Sequence, residues 1–392
     1  MLKKVIKDLA VITVLVLLPI IILFNTSFCK NGLLNLIFFG ERFSVNRLKV
    51  IKDVDLPALT PVGYDGQFYA QLALDPFLVH GDIINALDAP AYRARRIGLP
   101  FLSFIFGFGN PLWVLRVYAL INFAFWGLLL AALYQYSGFR YKRDFLLAVS
   151  LLWSTGTLVS LARALTDFPA ATLSVLAVFL IAKRKIAAWL LSFATLCKET
   201  SGLSLFLLIW PEKNKKVKPC KIILLCSIVI IPIAVWLFYL KLRLNGSPFV
   251  GNNNFTLPFL GVISKVVAEG GRFFKGLTQL SDFNILNLLF EFICPLSLLV
   301  QSLYMIVKPR VSSPFWRLGI GFTVLIFILG NAIWVEQIGY CRVLLILTFC
   351  FNFLIHKDER GIAYVLWYFM GNVGMAWMSI KLLSGFMFKV SF

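Results

Sequence analysis

Residues 213–240 read KNKKVKPCKIILLCSIVIIPIAVWLFYL, with lysines at 213, 215, 216, 218 and 221 ahead of a stretch, 222–240, that carries no charge. About 20 apolar residues in a row are enough for a helix to cross the hydrocarbon core of a bilayer. A short lysine cluster beside such a run marks its cytoplasmic end. This one stretch therefore argues for a membrane protein and orients it.

The rest of the chain agrees. Its 392 residues are 60% hydrophobic and 14% charged, and the mean hydropathy is +0.85. Soluble domains hold about 25% charged residues, so a soluble enzyme, a secreted disulfide scaffold and a disordered tail are all excluded. The net charge of +20 does not indicate nucleic acid, because the cations sit in short clusters between apolar runs instead of gathering on one soluble face. Membrane lipid is the expected partner, and no nucleic acid. Seven cysteines lie scattered without CxxC spacing and read as small buried hydrophobes.

Further apolar runs lie at 9–24, 111–136, 145–161, 168–182, 186–210, 285–307, 315–334, 343–355 and 361–380. Basic clusters separate them: Arg140/Lys142/Arg143, Lys183/Arg184/Lys185, Lys308/Arg310/Arg317 and Lys357/Arg360. Placing every cluster inside requires the run at 186–210 to go out and return as a broken hairpin with Cys197-Lys198-Glu199-Thr200 at its tip. The run at 97–109 is too short to cross and reads as a buried or re-entrant element. Lys241 and Arg243 then fall outside, against the positive-inside bias. The expected fold is an all-α polytopic membrane protein: a single integral membrane domain over 1–392 with about eleven membrane segments. Residues 25–110 form a long first extracytoplasmic loop with interfacial helices, and 244–284 a second outer loop.

Ionisable groups in apolar surroundings cost roughly 2.5–3.5 kcal/mol each at a helix centre, so they need a reason. Five groups fall at the outer ends of their segments in this topology. The first is Gly63-Tyr64-Asp65-Gly66-Gln67-Phe68-Tyr69, running into a short helix. Its glycines permit close approach to a ligand, and Asp65 is placed either to take a proton from a hydroxyl or simply to cap the helix. The second is Tyr92-Arg93-Ala94-Arg95-Arg96, whose guanidiniums suit an oxyanion. The third is Arg163 and Asp167, whose spacing stacks them on one helix face as an internal ion pair. The fourth is Lys198-Glu199-Thr200, and the fifth runs from Glu336 to Arg342, with Tyr340 inside it. Together they describe a positive pocket around one carboxylate, fit for a phosphorylated sugar donor and a hydroxyl acceptor.

Tyr64-Asp65-Gly66-Gln67-Phe68-Tyr69 with Leu74-Asp75-Pro76, then Tyr92-Arg93, Arg95-Arg96-Ile97 and Lys198-Glu199-Thr200, resemble bacterial membrane glycosyltransferases of the GT-C superfamily. The nearest likeness is the mannosyltransferase-like group of cell-surface glycopolymer assembly. The resemblance covers most of the chain in layout, with its specific motifs within 63–100 and weaker echoes at 163–167, 197–200 and 339–342. It implies a GT-C-like bundle that transfers a sugar from a polyprenyl-phosphate donor, usually with inversion, to a glycan or glycolipid acceptor. The transfer would take place on the outer face of a bacterial inner membrane. It further implies a reaction that is metal-independent or weakly dependent on a divalent cation, with no metal ligand assigned and no other cofactor. Asp65 occupies the position of the catalytic base. Tyr64, Gln67, Arg93, Arg95, Arg96, Arg163, Asp167, Lys198, Glu199, Tyr340 and Arg342 form the candidate substrate-binding set. Two departures stand out: the first loop has no adjacent acidic pair, and Lys198 stands where the family pattern has arginine. A transporter or flippase for a lipid-linked or anionic substrate is the competing reading, since broken helices and inward charges also mark transporters. No internal repeat supports it.

Overall fold

The computed structural model describes residues 32–209 except 53, 55 and 57–59, then 218–244, 254–279 and 282–388, with scattered positions between 12 and 22. The N-terminal apolar run thus falls largely outside the described residues. Among those described there is no β-strand, only two isolated bridges. The main helices are α1 (Gly66–Leu74), α2 (Gly98–Phe106), α3 (Pro111–Ser137), α4 (Lys142–Leu152), α5 (Thr155–Ala162), α6 (Asp167–Phe179) and α7 (Arg184–Cys197). They continue with α8 (Pro219–Arg243), α9 (Leu260–Gln279), α10 (Asp282–Val307), α11 (Pro314–Ile328), α12 (Gln337–Val343), α13 (Leu345–Asp358) and α14 (Gly361–Phe388).

The apolar runs become helices close to where the sequence places them. Three described helices are long and apolar enough to cross a membrane, Pro111–Ser137, Pro219–Arg243 and Ile285–Val307. The count reaches five if the bent pairs α4/α5 and α12/α13 are each one span, the second bent by 62°. α6 and α11 are apolar but shorter. The sharp ends follow local chemistry. For α3, the Asn110 side chain accepts from the backbone N–H of Trp113 at 3.1 Å, Pro111 opens the first turn, and Gly138 closes the helix at φ 62°, as N-cap, N1 proline and left-handed C′ glycine require.

The single domain expected from the sequence divides into two compact units. The first comprises Met1–Gly138, Val159–Gly202 and Pro219–Val250, the second Phe139–Leu158, Leu203–Lys218 and Gly251–Phe392.

In the first unit α3 and α6 run one way and α7 and α8 the other, so the bundle has two distinct ends. Tyr136 near the end of α3 packs on Phe179 at the end of α6, with ring centroids 5.5 Å apart. Lys183, Arg184 and Lys185 follow at that same end. Nearer the start of α3, Tyr118 donates to the carbonyl of Ala164 at 2.8 Å, just ahead of α6. The far end of α8 is moored there too: Trp236 Nε1 donates to the Ala94 carbonyl at 2.7 Å and the Tyr239 hydroxyl to that of Phe77. Arg243 donates to the carbonyls of Leu78 and Val79 at 2.8 and 2.7 Å. Arg243, which the sequence places against the positive-inside bias, thus serves to hold loop carbonyls. Only 11% of the apolar stretch of α8 is buried, and Ile223, Ile231, Val235, Phe238 and Leu242 are exposed along it. Such a surface calls for lipid.

The second unit is tied by polar side chains set among apolar helices, the usual adhesive where lipid removes the hydrophobic drive between spans. Gln301 donates to the Gly371 carbonyl at 2.7 Å and accepts from Thr348 at 3.1 Å, and Asn352 and Asn372 bond reciprocally at 3.0 Å. One end is ionic: Lys308 lies 2.7 Å from Glu359, and His356 Nε2 lies 2.8 Å from Asp144. The 244–284 segment, read from the sequence as an outer loop, contains the 20-residue helix α9.

Candidate functional site

α1 carries the central motif. Gly66 has no room for a side chain, since a Cβ there would lie 2.3 Å from the Arg163 carbonyl oxygen. At Gly63 (φ 75°) a Cβ would meet the Gly40 backbone at 2.4 Å. The close approaches these glycines permit are to the chain's own backbone, where the sequence suggested a ligand. Gln67 is buried and clamps the same junction, accepting from the Gly40 N–H at 2.9 Å and donating to the Val62 carbonyl at 3.3 Å. It acts as a strut.

Asp65 stands at the N-cap of α1 but makes no capping bond. Its Oδ1 instead lies 3.0 Å from Arg93 Nη2, with a quarter of the side chain exposed. Arg93 also forks onto Asp88, Nε to Oδ1 and Nη2 to Oδ2, both at 2.8 Å, and stacks over the Phe68 ring at 4.8 Å. One buried guanidinium therefore bridges two carboxylates. Burial works against its charge, yet the Asp88 hydrogen bond and the neighbouring Tyr69 and Asp65 hold its pKa well above the ordinary arginine value.

Arg96, three residues on, is engaged at all three of its nitrogens. It forks onto Glu199 at 2.9 and 3.0 Å, with Tyr69 Oη at 2.7 Å and Tyr92 Oη at 3.0 Å accepting its other N–H groups. Arg95 stacks over Tyr92 at 4.6 Å and lies 3.9 Å from Glu199. Glu199 sits at the break after α7, outside the helices long enough to span. Burial raises its pKa, but the charge and hydrogen bonds of Arg96 and the charge of Arg95 outweigh this and bring it down to about 2. Burial pushes the Tyr69 hydroxyl up to about 12 despite Arg96 and Arg93 beside it. The approach that makes this possible is at Gly98, where a Cβ would stand 2.6 Å from Cys197 Sγ.

The expected hairpin tip is where the helix breaks: Lys198 caps α7 in an extended conformation. Its ammonium is buried against the Asp167 carboxylate, both side chains 5% exposed. The expected stacking of Arg163 on Asp167 along one helix face is not realised. The chain leaves α5 at Ala162, turns through Ala164 at φ 45° and restarts at Asp167, so the two residues belong to different helices. Arg163 lies instead over the rings of Tyr64 at 4.2 Å and Phe38 at 5.2 Å.

The first unit thus gathers Tyr64, Asp65, Arg93, Arg95, Arg96, Arg163, Asp167, Lys198 and Glu199 into neighbouring clusters: Asp65–Arg93–Asp88, Arg95 and Arg96 on Glu199, Lys198 on Asp167, and Arg163 on Tyr64. Its electrostatics differ from the positive pocket around a lone carboxylate that the sequence suggested. Five cations meet four carboxylates, because Asp88, Asp167 and Glu199 each hold one of the basic residues. Asp88, Tyr69 and Tyr92 were missed as site residues. The signal was present for the tyrosines, since Asp65/Tyr69 and Tyr92/Arg96 are both four apart, but nothing local marks Asp88 as the partner of Arg93.

Tyr340 and Arg342 belong to the second unit. Tyr340 is fully buried against Trp334, with centroids 4.9 Å apart, and the Lys265 ammonium lies 5.7 Å from its ring. Arg342 is half-buried beside Gly156, where a Cβ would come within 3.4 Å of its Cα. Among the described residues no group of three His, Cys, Asp or Glu side chains is placed to hold a metal ion. Comparison with known protein families, with curated proteins and with solved structures finds no match for this chain.

Proposed function

We propose that this protein is a membrane glycosyltransferase of the GT-C kind, moving a sugar from a polyprenyl-phosphate donor to a hydroxyl of an envelope glycan or glycolipid. The observation that carries the reading is the partly exposed Asp65 carboxylate on a framework of arginines, at the end of the first unit remote from Lys183, Arg184 and Lys185. If that basic turn faces the cytoplasm, Asp65 faces the opposite compartment, where such donors present their sugar. Asp65 takes the acceptor proton. Arg163, half-buried on the Tyr64 face, and Arg95, stacked on Tyr92 with 11% of its side chain exposed, meet the donor phosphate and stabilise the charge that develops as it leaves. Arg93, Arg96 and Lys198 are already matched by carboxylates and keep the site preorganised. The eleven-segment topology belongs to the same proposal, with α2, α6, α7, α11 and α14 added to the spans and bent pairs, together with the N-terminal run.

The test is transfer of radiolabelled sugar from polyprenyl-phosphate donors by the purified protein, wild type against Asp65→Asn. Equal turnover by both removes the base assignment. The buried Lys198–Asp167 pair at a helix break favours the transporter as second reading. Turnover absent with every donor, alongside uptake of an anionic substrate or lipid scrambling in vesicles, would select it.

A further inference from the structure

α9 presents three different faces. Successive residues in a helix are turned by about 100°, which puts Val262, Glu269 and Phe273 on one side, and that side is packed. Val262 and Glu269 are buried, and the Phe273 ring stacks on Phe292 of α10 at 6.1 Å. Lys265, at the edge of this face, is held by Glu269 at 2.8 Å and by the Val335 carbonyl at 3.1 Å. The opposite side is exposed and divides sharply into two quadrants. One carries Leu260, Ile263, Val267 and Phe274, each at least half exposed. The other carries Ser264, Ala268, Arg272 and Lys275, all exposed.

We propose that α9 lies flat in the membrane–water interface, with a phospholipid bilayer surface as the occupant of its bare apolar quadrant. A helix packed sideways on a bundle at that depth needs one flank for protein, one for acyl chains and one for water, in that order around its axis. α9 has them in that order. Twenty residues give about 30 Å of helix, enough to cross, but Lys265, Glu269, Arg272 and Lys275 fall within eleven consecutive positions and forbid it. Lys275 borders the apolar quadrant, where it meets the phosphates of anionic headgroups, while Arg272 lies nearer the packed face and pairs with Glu269 at 3.3 Å. The same unit already exposes Leu286, Leu303 and Ile306 along the spanning helix α10, so lipid is the solvent on that side. This inference stands whether or not the protein transfers sugars.

The test uses the full chain in nanodiscs of phosphatidylcholine and phosphatidylglycerol. A nitroxide is placed at Val267→Cys or Ala268→Cys, and the signal of equally treated wild type is subtracted. Power saturation with oxygen and with a water-soluble nickel chelate reads depth. The label at 267 is expected to favour oxygen, about 5–10 Å below the phosphates, and its neighbour at 268 to favour the chelate, so the depth parameter changes sign between adjacent residues. Chelate access at both positions overturns the proposal, as does burial of both in the acyl region. Shielding of both from either agent does so too, and indicates a protein partner. Should either variant fail to fold, Ile263→Cys and Ser264→Cys sample the same two quadrants.

Discussion

Arg96 and Glu199 stand 103 residues apart in the chain and close on each other through two hydrogen bonds, 2.9 Å from Nε to Oε2 and 3.0 Å from Nη2 to Oε1. The pair fastens the end of α7 to the loop ahead of α2, and the tyrosine hydroxyls of residues 69 and 92 accept from two further N–H groups of the guanidinium. Removing one partner leaves a buried charge without compensation, which costs about 3–5 kcal/mol. A quarter of the Glu199 side chain reaches solvent, so Glu199→Gln falls at the low end, about 3 kcal/mol. Equilibrium unfolding of the detergent-solubilised protein measures it.

The same carboxylate makes stability depend on acid. Its pKa falls from the ordinary 4.5 to about 2 in the folded protein. A depressed carboxylate contributes stability that is complete above the unfolded value and lost as pH falls through the folded one. Unfolding midpoints of the wild type therefore decline between pH 4.5 and 2. Glu199→Gln shows a shallower decline over that window, and parallel curves for the two proteins would refute the assignment.

Two glycines in unlike surroundings give a paired test of packing. Gly66→Ala drives a methyl into the Arg163 carbonyl, with a second carbonyl, that of Ile37, at 3.0 Å. Backbone cannot swing aside as a side chain does, so the folded yield drops steeply. Gly127→Ala, inside α3 with nothing within 4 Å of the new methyl, gains about 0.5–1 kcal/mol from helix propensity. Size-exclusion profiles and thermal unfolding of both variants decide the matter.

Asp65→Asn separates catalysis from folding. The side chain makes no capping bond, and Asp88 continues to hold Arg93, so the variant keeps the wild-type fold. Under the proposed mechanism its sugar transfer falls by about 10²–10⁴, the range of general base catalysis, and circular dichroism stays unchanged.

The three helices long enough to span, five with the bent pairs, were legible in the sequence because a bilayer imposes one coarse requirement, length of apolar chain, that single windows satisfy. The break at Lys198 was legible for the same reason, as a polar interruption between basic clusters that had to share a side. α9 was not, because its charges recur at helical spacing among apolar residues, so no window looks continuously apolar. The Arg163–Asp167 spacing misled because it presumed an unbroken helix, and alanine at 164 gives no warning of a left-handed turn. The arginines at 93, 95 and 96 were recognised as a group, but which acid each would meet is a matter of tertiary geometry. Glu199 and Asp167 were read as ligands for a substrate, and they are first of all ligands for Arg96 and Lys198.

The mooring of α8 has a mechanical consequence. Its indole at 236 grips the carbonyl of Ala94, one residue from Arg93, while one flank packs on α7 and the other exposes Ile223, Ile231, Val235 and Phe238. A rod held at one end by a loop, on one flank by a neighbouring helix and on the other by a fluid is pushed to tilt when the fluid film thins. A tilt of α8 would load that grip, so the spacing between Arg93 and its two acids is expected to respond to the thickness of the surrounding lipid.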